Sequence, residues 1–169
     1  MIPKKSAVDR GRQPQSSAAP PERARLAFAR DDATGADKRP DRPGRILVVE
    51  DDFLVALQME SALTEAGFEV AGVAASGEDA IALALSERPR LVVMDIRLAG
   101  DRDGIDTALH LFAEHGIRCV FATAHHDEHS RRRAAPAGPL GWLHKPYTMA
   151  SLVGMVRGAL DELDHKAGR

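Results

Sequence analysis

The stretch ILVVEDD, residues 46–52, decides the fold: four apolar residues of strand length run straight into three acids. A segment of helical period follows at 53–66, with Val55, Met59, Leu63 and Ala66 on one face. The same grammar recurs outward from there. LVVM (91–94) runs into Asp95, CVFA (119–122) into Thr123-Ala124, and a weaker strand at 140–144 into Lys145-Pro146. Phe68 to Val73 alternates loosely, as an edge strand does, and Ser76 opens a capping signal for a helix that stops before Pro89. A further helix starts at Gly104, with Ile105, Ala108, Leu109 and Phe112 expected on its inner side. A short polar helix is expected at 126–134. Thr148 caps a last helix carrying Leu152, Met155, Val156, Ala159 and Leu163. Strands and helices in strict alternation call for a parallel sheet covered by helices on both faces.

The chain of 169 residues, 44% hydrophobic and 28% charged, fits one domain with a remainder. Its net charge of −2 conceals two unequal parts. Residues 1–44 carry 10 basic and 6 acidic side chains and six of the ten prolines, whereas residues 45–169 carry 13 basic and 19 acidic. The first part lacks a periodic apolar face, so it reads as a disordered basic arm. Its ERARLAFAR stretch (22–30) is too short for a stable isolated helix. Mixed charge favours a solvated tail, or a start codon set too far upstream, over a nucleic-acid or lipid contact. The domain is expected at 45–163, followed by a short tail at 164–169. No apolar run approaches the roughly 20 residues that cross a bilayer, and the N-terminus lacks a secretory signal. Cys119, the sole cysteine, lies in an apolar run and reads as a small core residue in a reducing cytoplasm.

Ligands of such sheets bind beyond the carboxyl ends of the strands. Those ends carry Glu50, Asp51 and Asp52, then Asp95, then Thr123, then Lys145. Parallel neighbours lie about 4.8 Å apart, so acids ending strands 1 and 3 would reach one ion in a sheet whose order, 2-1-3-4-5, makes those strands neighbours. An all-oxygen set without thiolate or imidazole suits Mg²⁺. A transferring phosphoryl group needs a divalent ion, a hydroxyl or backbone donor and a cation around its oxygens, which Asp51 with Mg²⁺, Thr123 and Lys145 supply. Taken singly, each residue is more simply a helix cap or a surface charge. The argument rests on their joint placement at successive strand ends.

Over about 45–163 the sequence closely resembles the receiver domain of bacterial two-component response regulators, on the motifs ILVVEDD, LVVMDIRLAG, FATA and HKPY in that order. The resemblance implies a flavodoxin-like, doubly wound α/β fold with a five-stranded parallel sheet of order 2-1-3-4-5 and five flanking helices. It implies that Asp95 is the phosphoacceptor, Asp51 a direct metal ligand, Glu50 its companion acting through water, and Arg97 a backbone-carbonyl ligand. Thr123 and Lys145 resemble the residues that contact the phosphoryl group, and Trp142 occupies the switch-aromatic position. Arg97 and His125 each lie two residues after a site residue, where they border the phosphoryl group and the attacking water. The implied partners are a histidine kinase or histidine phosphotransfer protein and an unidentified downstream protein, with no DNA or membrane contact expected and a homodimer compatible. The chain would catalyse only its own phosphorylation and dephosphorylation. With only DHKAGR after Leu163, it reads as a stand-alone receiver.

Several features depart from the usual receiver pattern. Ala99 stands four residues after Asp95 where receivers usually have proline, and the loop to Gly104 is one residue longer. The segment HHDEHSRRRAAPAGP is polar, with little apolar face, so its helix is expected to be short or mobile. Trp142 replaces the usual tyrosine or phenylalanine. His125, His126 and His129 suggest zinc by spacing, but no cysteine or acid completes a closed set. Two alternatives remain at this stage. One is a Mg²⁺-dependent phosphatase of the haloacid-dehalogenase type, which would place Asp-x-Asp at the first strand end; the other is a pseudo-receiver that binds without phosphorylation.

Overall fold

The computed structural model describes residues 44–124 and 128–167; the expected N-terminal arm and residues 125–127 lie outside the described residues. Five strands, β1 (Arg45–Val49), β2 (Glu69–Ala74), β3 (Leu91–Met94), β4 (Arg118–Thr123) and β5 (Gly141–His144), form one parallel sheet of order β2-β1-β3-β4-β5. The connecting helices are α1 (Phe53–Glu65), α2 (Gly77–Glu87), α3 (Gly104–His115), α4 (Glu128–Ala134) and α5 (Met149–Ala167), with a 3-10 turn at Ala135–Ala137. β2 is an edge strand, as its loose alternation suggests.

Both faces of the sheet are buried, which is why β1 and β3 read as continuous apolar runs. Leu47, Val49, Val92, Met94 and Phe121 point to a core shared with α2 and α3, among Ala80, Ala84, Ile105, Ala108 and Leu111. Ile46, Val48, Leu91, Val93 and Val120 point the other way, to Met59 and Leu63 of α1 and Leu152, Val156 and Ala159 of α5. Cys119 lies in the first core, where burial pushes its thiol up to about 12, against a smaller opposing effect of Arg118.

The inner face of α3 differs from the sequence expectation. Leu111 is 1% exposed and Phe112 36% exposed, so Ile105, Ala108 and Leu111 meet the core, with Leu109 half-buried beside it. Ile105 and Ala108 keep their expected places, while Leu111 takes the core position expected for Phe112, which turns outward. In α5, Met155 and Leu163 are half-buried and Leu160 takes the deeper position.

The helix starts follow from their caps. Asp52 accepts from the Leu54 and Val55 amides, Ser76 from Asp79, and Asp103 from Asp106. Thr148 Oγ1 accepts from the Ser151 amide at 3.1 Å, as the sequence implies for α5.

Candidate functional site at the carboxyl ends of β1, β3, β4 and β5

The strand order places β1 beside β3, with Val49 paired to Met94. The next residue of each strand is an acid, and the Asp95 amide donates to the Val49 carbonyl at 2.9 Å. Glu50 and Asp95 are therefore pulled into the mouth of the sheet, 3% and 7% exposed, while Asp51 faces solvent. Carboxylate oxygens of Glu50, Asp51 and Asp95 lie within 4.8 Å of one another. Asp52 stands outside this group because its carboxylate caps α1.

Lys145 enters from the loop after β5. Its amide donates to the Thr123 carbonyl at 3.0 Å, which ties the lysine backbone to the end of β4. Its ammonium donates to Glu50 Oε2 at 2.7 Å and to Asp95 Oδ2 at 2.6 Å. The Lys145–Pro146 peptide is cis. Burial alone would lower the ammonium's pKa, but the hydrogen bonds to Asp95 and Glu50 outweigh it and hold the pKa above the ordinary lysine range. Burial raises the Glu50 carboxyl, with Lys145 opposing and the Asp95 charge adding to the rise. Three carboxylates against one ammonium leave an excess of negative charge on an all-oxygen donor set, which fits a hard divalent cation.

The remaining expected residues sit around this centre. Asp95 Oδ1 accepts from the Arg97 amide at 3.2 Å, and the Arg97 side chain is exposed. Thr123 is fully buried at the end of β4. Trp142 pairs with Phe121 in the β4–β5 register and stacks on its ring at 4.6 Å. His125 and His126 lie outside the described residues. His129 is exposed and belongs to no metal-holding group among the described residues.

Three features of the surroundings escaped the linear reading. A Cβ on Gly104 would collide with the Asp95 carbonyl oxygen, so glycine is needed for α3 to start this close to the site. The long loop after Asp95 is tied sideways, with Ala99 bridged to Ser76 and the Ala99 amide donating to Ala75 at 3.3 Å. Arg131 and Arg133 of α4 reach in opposite directions, Arg133 to Asp103 and Asp106 of the α3 start and Arg131 over Trp142. The run of arginines in a helix without an apolar face was the available signal.

This fold and site define a receiver. The chain belongs to the response regulator receiver domain family, whose model matches residues 46–157. It is 33% identical over 118 residues to the transcriptional regulatory protein PdtaR of Mycobacterium tuberculosis, covering 70% of this chain and 57% of that protein. It is 30% identical over 131 residues to the phyllosphere-induced regulator PhyR of Methylorubrum extorquens, covering 76% and 48%. The chain thus spans about half the length of these curated relatives. Among solved structures, the signal receiver domain of a modulated diguanylate cyclase from Desulfovibrio desulfuricans G20 superposes with a TM-score of 0.68 at 33% identity, covering 75% of this chain and 99% of that one. Family membership sets the phosphatase alternative aside. No helix among the described residues is long and apolar enough to cross a membrane.

Proposed function

We propose that this receiver accepts a phosphoryl group on Asp95 from the phosphohistidine of a histidine kinase or phosphotransfer protein, in a Mg²⁺-dependent reaction, and passes its state on by protein contact. The observation that carries the reading is the convergence of Glu50, Asp51 and Asp95 within 4.8 Å, with Lys145 bridging Glu50 and Asp95.

In this reading Asp51 and Asp95 would ligate Mg²⁺ directly, Glu50 through water, and Arg97 by its backbone carbonyl. Bound there, the cation offsets the crowded carboxylates and the charge on the phosphoryl oxygens. A carboxylate oxygen of Asp95 attacks phosphorus as the bond to the donor imidazole breaks, leaving an acyl phosphate. Lys145 exchanges its contact with Asp95 for a phosphoryl oxygen, and the Thr123 hydroxyl donates to another. These contacts exist only in the phosphorylated form, so they supply the differential interaction that shifts a two-state element. Trp142, on the strand between Thr123 and Lys145, reports that shift to the neighbouring surface. Arg97 and His125 border the path of the hydrolytic water.

The test is incubation with acetyl phosphate and Mg²⁺ followed by intact mass. One covalent phosphate on the wild-type chain and none on Asp95→Asn is the expected result. No mass gain on wild type would make the chain a receiver that works without phosphorylation.

A further inference from the structure

The arginines near the amino-terminal ends of the strands are of two kinds. Arg45 pairs with Glu69 at 2.8 Å and Glu87 at 3.0 Å, Arg118 with Glu162 at 3.6 Å, and Arg90 with Asp164. Arg88, by contrast, is exposed and has no acid within ion-pair distance among the described residues. It is also the one non-glycine residue with a positive φ among them, at φ 49° and ψ 59°, where it ends α2. The same position at the end of α3 is held by Gly116, at φ 67°. Glycine takes up that backbone without strain, so an arginine at the end of α2 keeps its side chain at a conformational cost. That side chain borders a cavity of about 390 Å³ between the ends of α2 and α3.

The rest of the lining is apolar apart from one imidazole. Ala84 and Pro89 are buried, Ile117 is half-buried, and Leu85 leaves about half of its surface in solvent. His115, in the last turn of α3, is exposed; its ring packs edgewise on His110 with centroids 6.0 Å apart, and it offers an N–H in either protonation state. A planar guanidinium without an acid matches a carboxylate at two points, and an apolar interior beside it takes hydrocarbon. The volume lies at the small end of ligand sites, roughly 300–1,000 Å³, which suits a molecule of one ring. We propose that the cavity between the carboxyl-terminal ends of α2 and α3 binds a small aromatic carboxylate. Arg88 pairs with the carboxylate, His115 donates to it, and Leu85, Pro89 and Ile117 enclose the ring over Ala84. The site uses no residue of the Asp95 centre, which sits beyond the other end of the strands.

The probe is phenylacetate, titrated into the full chain while backbone-amide NMR shifts are followed. Phenylacetamide, which keeps the ring without the charge, and acetate, which keeps the charge without the ring, are the comparisons. Phenylacetate should shift the amides of Leu85, Arg88, His115 and Ile117 saturably, and both comparison compounds should bind roughly tenfold more weakly. Arg88→Gly separates binding from folding, because glycine keeps the left-handed backbone. It should unfold at or above the wild-type temperature, yet bind phenylacetate roughly tenfold more weakly, with Arg88→Lys between the two. Arg90→Gln, which removes a nearby arginine already paired with Asp164, should leave the affinity unchanged. Absence of a saturable shift, equal binding of phenylacetamide, wild-type affinity in Arg88→Gly, or tighter binding of a peptide with a free carboxyl-terminal phenylalanine than of phenylacetate would overturn the proposal. Acetyl phosphate labelling of Arg88→Gly should match wild type, which separates failure here from failure at Asp95.

Discussion

Helix α3 drives Ile105, Ala108 and Leu111 into the core beneath one face of the sheet, whereas its neighbour α4 enters the same side with only Ser130 and Ala134 buried. What α4 lacks in apolar contact it replaces with arginines, one on the α3 cap and one on Trp142. The two helices flank the same site and are held by forces of different character. Apolar burial is non-directional and is not screened by salt, while half-exposed ion pairs contribute little each and are screened. A receiver built this way has a rigid side, packed by apolar contacts and carrying the loop after Asp95, and a side held largely by charge.

The largest effect should come from the rigid side. Leu111→Ala should cost about 2–5 kcal/mol in urea denaturation, as expected for a fully buried leucine. A loss below about 1 kcal/mol, the scale of an exposed ion pair, would erase the contrast with α4. Gly104→Ala comes next, because its Cβ meets the Asp95 carbonyl oxygen. Overpacking there should cost about 1–3 kcal/mol and weaken Mg²⁺ binding by displacing the Asp95 loop. Unchanged stability and metal titration would mean that α3 does not brace the site.

A kinetic comparison concerns Arg97, in the loop that leads to α3, and His125, two positions after Thr123 in the sequence. Arg97→Ala should shorten the life of the phosphorylated chain several-fold, a factor of ten being about 1.4 kcal/mol of barrier. Loss of the mass-shifted species after removal of acetyl phosphate measures it. Faster loss in both Arg97→Ala and His125→Ala assigns both to shielding from water. Slower loss in His125→Ala alone assigns that imidazole to orienting the water, and an unchanged rate in Arg97→Ala ends the shielding idea.

The smallest effect belongs to α4. Arg133 and its partners are roughly a third to a half exposed, so Arg133→Ala should cost only about 0.2–1 kcal/mol at low salt. That cost should vanish near 1 M NaCl, where the screening length falls to about 3 Å. A cost that persists at high salt would show that packing, not charge, holds this helix.

Much of the architecture was legible because its signals are local. ILVV, LVVM and CVFA are continuous apolar runs, as strands buried on both faces must be, and Ser76 and Thr148 announce their helices through caps. The candidate site was legible for the same reason, its acids, hydroxyl and lysine each directly following a strand. The inner face of α3 was misread by one position, because Leu111 and Phe112 fit an amphipathic stripe almost equally well and only contact with the sheet chooses between them. Helix α4 was read as polar and short, correctly for the seven residues described, yet nothing in HSRRR says which arginine meets which element.

The amino-acid sequence by itself determined the alternation of strands and helices, the residues at each strand end, and hence the chemistry available there, because periodicity and capping act over a few residues. Only the tertiary structure decided that Lys145 spans Glu50 and Asp95, that Gly104 must pass the Asp95 carbonyl, and that Arg131 and Arg133 part to opposite neighbours. Those pairings join residues far apart in the chain. A long cationic side chain reaches several acids or rings equally well until the order of the strands and the packing of the helices set the distances.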